Sequence, residues 1–393
     1  AAPAARSDPA PADAGPPADP RVYAFYYAWY QNPSFDDRWA HWNHEHLKHW
    51  DASVQRRYPD FVHDPTSGDV GASFFPRLGA YSSRDPAVVD DHFRQLRAAR
   101  AGVVVVSWYP PGKRDPNGPE VDALVRGLLD AATRHGLEVC LHLEPWEGRT
   151  AAAQLEDVAY AVGAYGAHPA PRGRAGTEPF ERACLDAATI DRGHGHRYHK
   201  RDGRCVFFAY DSYQLTPAAW REARRAATTP SFLVGLVLEP GQLAQYAGGA
   251  GGFDGVYTYF GAAGFTRAAT PSGWAGLARD AETRGALFVP CVAPGYDDTR
   301  VRPWNGENTR AREDGAYYDR AWGAAISSGA HAVGVTSFNE WHEGTQIEEA
   351  VPAAPDRDGV AAYLDYSPNA PGFYLARTAR WVGEFVERRG APS

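Results

Sequence analysis

Residues 103–108 read Val-Val-Val-Val-Ser-Trp. An amphipathic strand alternates apolar and polar residues, whereas this run is apolar without a break, as a strand covered on both faces must be. Seven further runs share the pattern, at 22–29, 138–143, 206–210, 232–238, 255–259, 287–292 and 332–337. Stretches with helical periodicity separate them, near 86–100, 119–134, 151–164, 216–226, 240–248, 273–284 and 315–329, and another at 372–388 follows the last run. Asp85-Pro86 supplies a helix cap followed by proline at the first helical position. Eight strand–helix units predict an α/β fold of the closed (β/α)8 TIM-barrel kind. No glycine-rich turn follows the first run, which sets aside a dinucleotide-binding open sheet.

The rest of the chain fits around that frame. It has 393 residues, 44% of them hydrophobic and 22% charged, enough for one large domain. The predicted division is a disordered Ala/Pro-rich linker at 1–20 and one catalytic domain at 21–390. Two stretches interrupt the alternation: 30–84, dense in aromatics and His, is expected to form long loops at the C-terminal face, and 167–204 is an insertion before the fourth strand. The insertion carries Arg172, Arg174, Arg192 and Arg197 and reads as a surface excursion. A net charge of -8 offers no field for nucleic acid, and no apolar run is long enough for a membrane span. The chain has no Met, and its first 20 residues lack an apolar core, so the expectation is a trimmed export leader and a secreted, extracytoplasmic protein from a GC-rich bacterial source. Cys140 and Cys291 lie in apolar runs and read as buried thiols; Cys184 and Cys205 flank the insertion and either pair or do not.

Function follows from what stands just after each strand, because a barrel of this kind builds its site there. The eight positions deliver Tyr27, then Trp108 and Tyr109, then His142 and Glu144, then Tyr210, Glu239, Tyr257 and Tyr259, Tyr296, and finally Asn339-Glu340-Trp341-His342-Glu343. Carboxylates beside aromatic rings are what a glycosidase needs: rings hold the apolar faces of sugars while acids move protons at the glycosidic bond. Twelve Trp and 21 Tyr agree with that use. Glu340 and Glu343 sit three apart, so one turn brings both to a single bond, and two acids in one cleft separate in pKa. His41, His44, His46 and His49 invite a zinc reading, but their spacing is not that of a metalloprotease helix, and the interleaved Trp39, Trp42 and Trp50 favour packing and sugar contact.

Taken together, YYAWY, HWNH, GASFFPRLGAYSSRDP, VVVVSWYPPG, GFDGVYTYF, PGYDDTRVRPWN and SFNEWHEGTQIEEA resemble glycoside hydrolase family 99, the endo-α-1,2-mannosidases and mannanases, from about residue 22 to 385. The resemblance implies a (β/α)8 barrel, no metal or cofactor, and retaining cleavage inside α-mannoside chains of mannan or high-mannose N-glycans, with a monomer expected. It further implies that Glu340 is a base deprotonating the sugar's own 2-hydroxyl to give a 1,2-anhydro sugar, and that Glu343 protonates the leaving oxygen. A Glu nucleophile remains the ordinary alternative. By the same likeness Glu144 and Tyr259 line the subsite of the reacting sugar, while Trp108 and Tyr109 contact the preceding one. Tyr109, with Asp115 and Asn117 in the following loop, points toward a glucose-capped substrate. His44 and Trp341 complete the expected sugar contacts. Rival readings are a non-catalytic carbohydrate-binding barrel and a metal-dependent barrel hydrolase.

Overall fold

The apolar runs pair in a ring. The computed structural model of the protein describes residues 16–166, 197–356 and 359–390. The barrel strands are β1 (Asp19–Tyr26), β2 (Ala101–Trp108), β3 (Glu138–Leu143), β4 (Arg204–Ala209), β5 (Ser231–Leu236), β6 (Gly255–Tyr257), β7 (Leu287–Val289, resuming at Cys291–Val292) and β8 (Val333–Val335). Neighbours are parallel throughout, and Val22 opposite Val333 joins β1 to β8 and closes the ring. β7 is broken at Pro290, which has no N–H to give. Its first half pairs with β6 and its second with β8, and Thr258 Oγ1 accepts the Cys291 N–H at 2.9 Å in place of a ladder bond.

Besides two four-residue helices in the loop after β1, eight longer helices among the described residues return between and after the strands: α1 (Pro86–Ala98), α2 (Val125–His135), α3 (Ala151–Tyr165), α4 (Pro217–Ala226), α5 (Pro240–Tyr246), α6 (Trp274–Thr283), α7 (Ala316–Ser327) and α8 (Phe373–Arg389). Asp85 caps α1 by accepting the Ala87 N–H at 2.8 Å, as its sequence context predicts. Gly136, in the left-handed conformation, ends α2. Glu239, expected at the end of a strand, instead starts α5 in a capping box with Gln242.

Aromatic rings fill the barrel. Tyr23 and Phe25 alternate inward from β1; Phe25 meets His142, Phe208 and Tyr259 edge-on at 5.0, 5.6 and 5.2 Å. Cys140 and Cys291 are buried. Asp19 and Pro20 already belong to β1, so the barrel starts inside the stretch read as linker. Residues 1–15 and 167–196, with Arg172, Arg174, Cys184 and Arg192, lie outside the described residues. The described end of the insertion enters as a two-residue hairpin arm, Lys200–Arg201, antiparallel to the start of β4.

Backbone approach is closest at Gly102, where a Cβ would lie 2.3 Å from Asp19 O and 2.6 Å from Pro20 N. Nothing there is a side chain that could swing away. Gly102→Ala is therefore expected to cost at least about 2 kcal/mol in chemical denaturation. Gly127 sits in the first turn of α2 with open space around it, and Gly127→Ala is expected to add about 0.5 kcal/mol in the same assay.

Candidate active site

β8 ends at Val335, and residues 337–347 fold back as a closed loop: Ser337 N–H donates to Thr345 O and Ile347 N–H to Ser337 O. Gly344 turns the loop at φ 59, where a Cβ would stand 2.7 Å from Asp297 O. The loop is fastened to β1 by Asn339. Its Oδ1 accepts the Tyr27 N–H at 2.7 Å and its Nδ2 donates to Tyr27 O at 2.9 Å, so a side-chain amide extends the strand pairing past the last residue of β8. From outside, Arg312 donates from Nη2 to Gly344 O and Gln346 O at 2.9 and 2.8 Å. Its guanidinium lies among the rings of Phe74, Tyr374 and Tyr366 at 4.4, 4.6 and 4.9 Å.

Above the loop is a cavity of about 380 Å³, walled by both Glu340 and Glu343. Glu340 is only 4% exposed. Its Oε1 accepts the His342 N–H at 3.2 Å, while Oε2 is buried without a partner. Burial first, and the nearby Glu343 second, hold the Glu340 carboxyl well above the usual range. Glu343 is pushed up to about 7, chiefly by burial; Arg302 pulls it down while Asp298 and Glu144 push it up. The charge of Glu343 makes Glu340 easier to keep protonated, and two coupled acids in one wall are the arrangement a proton donor–acceptor pair requires. Arg302 is fixed by Asp298 at 3.0 Å. Asp298 in turn accepts from Tyr296 and Asn305.

The opposite wall carries Tyr27 and Tyr259, whose hydroxyls hydrogen-bond each other. Tyr259 adopts φ 48, a left-handed conformation costly for a bulky residue. Thr336 Oγ1 holds its carbonyl at 2.6 Å. Glu144 accepts from Ser107 Oγ at 2.8 Å, and His142 lies beside it, with Nδ1 at 3.3 Å from Glu144 Oε1 and Nε2 bonded to Tyr257 OH at 2.7 Å. At the far end, His342 donates from Nδ1 to Gly71 O at 2.6 Å and His44 from Nδ1 to Glu45 O at 2.6 Å. Both rings therefore turn Nε2 lone pairs inward. Burial keeps His342 well below its ordinary pKa and lowers His44 to about 4, so both are neutral acceptors.

Of the residues chosen from sequence, Tyr27, His44, Tyr109, Asp115, Asn117, His142, Glu144, Tyr210, Tyr259, Glu340 and Glu343 share this cavity. Tyr296 lines an adjoining one of about 540 Å³, which also reaches Glu343, Arg302 and Tyr210. Four belong elsewhere. Trp108, Tyr257, Asn339 and Trp341 are fully buried and stand behind the wall. Trp108 bonds Asp122, and Trp341 donates to Tyr81 OH and Glu348. Side-chain alternation turns Trp108 away from the mouth that Tyr109 faces. Tyr257 points inward one layer below Tyr259, against Phe25 and His142, and Asn339 and Trp341 hold the loop itself.

Sequence reading did not single out Trp29 or Arg302, and it named His41 only within the His cluster and His342 only beside the acid pair. His41 stacks on Trp29 at 4.2 Å and reaches His342 and Asp115 at 3.3 and 3.4 Å. Arg302 was visible only as part of PGYDDTRVRPWN. The His cluster disperses, with His46 on Phe61 and His49 on Trp50, and among the described residues no group of three or more His, Cys, Asp or Glu is placed to hold a metal ion.

Because Arg312 braces the loop through Nη2 while its planar guanidinium packs among three rings, lysine cannot replace it. Arg312→Lys is expected to lose about 1–3 kcal/mol of stability and roughly tenfold or more in kcat with KM little changed, read by denaturation and steady-state kinetics together.

Comparison with known proteins agrees with this geometry. A family model described as glycosyl hydrolase family 99 matches residues 17–387. The chain is 39% identical over 384 residues to glycoprotein endo-alpha-1,2-mannosidase of Mus musculus, covering 95% of this chain and 77% of that protein. It is 38% identical over 378 residues to the glycoprotein endo-alpha-1,2-mannosidase-like protein of Homo sapiens, covering 94% and 76%. Among solved structures, the GH99 endo-alpha-mannosidase from Bacteroides thetaiotaomicron superimposes with a TM-score of 0.79 at 37% identity, covering 95% of this chain and all of that one. The family match begins just before β1 and ends within α8, taking in every element of the barrel, and the chain belongs to glycosyl hydrolase family 99.

Proposed function

We propose that this glycoside hydrolase cuts internal α-1,2-mannosidic bonds of mannan or of glucose-capped high-mannose N-glycans, with retention at the anomeric carbon and through a 1,2-anhydro sugar. Hydrolysis of α-mannosidic bonds is the activity its family membership supports. The observation that carries the finer reading is Glu340 Oε2, a buried carboxylate oxygen on the cavity wall with no partner of its own.

In an α-mannoside the 2-hydroxyl is axial and trans to the leaving oxygen, placed for internal attack on C1. Glu340 takes the 2-hydroxyl proton as O2 bonds to C1; Glu343 gives its proton to the departing oxygen as the C1–O bond breaks. Water then attacks C1, losing its proton to Glu343, as the C1–O2 bond breaks and Glu340 returns its proton to O2 to restore the 2-hydroxyl. Two inversions at C1 give net retention. Burial lifts both carboxyls and couples them, so the pair shares a proton around neutral pH; with that proton on Glu343, Glu340 is ionised and is a stronger base for having been lifted. Neutral His44, with Asp115, Asn117 and Tyr109, supports recognition of hydroxyls on the sugar ahead of the reacting one, including a glucose cap.

Products from yeast-type mannan and a glucose-capped glycan should be α-configured disaccharides or longer fragments. Glu340→Gln and Glu343→Gln should each lose at least about 10²-fold in kcat. A glycosyl fluoride, which needs no leaving-group proton, should restore cleavage to Glu343→Gln and not to Glu340→Gln. A substrate with fluorine in place of the 2-hydroxyl should be neither cut nor trapped; a covalent glycosyl-enzyme seen by mass spectrometry would make Glu340 a nucleophile. The sign of the pH response follows from the pair. The acid must carry its proton, so kcat/KM should fall as pH rises through about 7, and that alkaline limb should vanish from the residual activity of Glu343→Gln.

A further inference from the structure

The cavity beyond Glu343 contains more aromatic surface than one sugar ring needs. Trp50 is 83% exposed, the most exposed of the large apolar side chains, yet it is held rigidly. One face of the indole stacks on His49 at 3.9 Å, and Trp304 meets it edge-on at 5.4 Å. His49 is itself anchored, its N–H to Gln55 Oε1 at 2.7 Å and its Nδ1 accepting the Asp51 N–H at 2.9 Å. Trp304 donates from Nε1 to Leu47 O at 3.0 Å. Across the same cavity, Phe265 is 52% exposed and leans on Phe260 at 5.2 Å. Leaving large rings in water gains nothing for folding.

Position says what they face. Glu343 and Arg302 line both cavities, whereas Glu340, Glu144 and Tyr259 line only the first. The proton donor thus stands at the junction, and the space on its far side is where the departing part of the glycan lies. That space, about 540 Å³, falls in the range that encloses a drug-sized ligand, more than one hexose. Its polar lining includes two amides, Asn305 and Asn308, and charges of both signs, Arg302 against Glu307 and Glu343, with no one-signed field that would select a charged ligand.

We propose that Trp50 and Phe265 form an aromatic clamp for the departing side of a neutral glycan, beyond the sugar bonded to the scissile oxygen, so that the enzyme selects substrates extended on that side. This rests on Glu343 being the proton donor. The test compares a long α-mannan oligosaccharide with a disaccharyl fluoride, which has no departing sugar. Trp50→Ala should lower the ratio of kcat/KM on the long substrate to that on the fluoride by about tenfold, and Phe265→Ala should lower it less, with Trp50→Phe recovering most of the loss. Equal losses on both substrates, or none, would overturn the clamp. Calorimetry with a mannotriose that carries no cleavable fluoride reads the clamp without catalysis. Weaker binding to Trp50→Ala supports it even if neither substrate is cut, which would count against the proposed function alone, and unchanged binding overturns it.

Discussion

Two hydrogen bonds from one amide, Asn339 to the backbone of Tyr27, close this molecule. The ladder between the first and last strands ends at Ala24 opposite Val335. Beyond that point Phe338 N–H still reaches Phe25 O at 2.7 Å, and then the side chain of Asn339 takes over the pairing. The seam of the barrel and the base of the acidic loop are therefore one object. Tyr30 extends it, donating to Asn339 O and accepting from Trp341 N–H. Glu348 secures the far side, fully buried and accepting from Tyr81, Trp341 and His92.

Holding two carboxyls in a desolvated wall works against the folded state, and the surroundings offset it by chemistry suited to the pair. Among the described residues, Arg302 is the one arginine or lysine on the cavity wall. The imidazoles of His41, His44 and His342 are held neutral by burial, so they add hydrogen-bonding groups without adding charge. The phenols of Tyr27 and Tyr259 are raised well above their ordinary pKa by burial and remain protonated donors. Tyr259 keeps a strained backbone, and the residues around it leave that strain no exit: Thr336 grips its carbonyl and Tyr27 its hydroxyl. Rigidity here comes from over-determination, not from any single strong bond.

The barrel was legible because parallel strands covered on both faces write themselves as unbroken apolar runs, and the helices between them as 3.6-residue patterns. Strand ends were less so. The runs at 255–259 and 332–337 extend past the last paired residue, because the chain leaves the ladder to build the site while staying buried. That burial also explains why Trp108, Tyr257, Asn339 and Trp341 looked like cavity residues: composition marks the neighbourhood, whereas strand alternation at Trp108, depth in the barrel at Tyr257 and the fold of the loop at Asn339 and Trp341 decide which side chains face the cavity. Arg302 and His41 come from loops after β7 and β1, where no period exists, so nothing local marked them. Arg312 is further hidden, since its partners Phe74, Tyr366 and Tyr374 are distant in sequence.

The two cavities meet at Glu343, and their junction has a consequence for how a polymer is consumed. A pocket closed behind the reacting sugar can only accept a terminus, so its encounters scale with the number of chain ends. A trough that continues on both sides of the proton donor lets a segment lie across it. The number of productive landings then grows with the length of each chain, early cuts fall far from the ends, and the mean size of the polymer collapses before much free sugar appears.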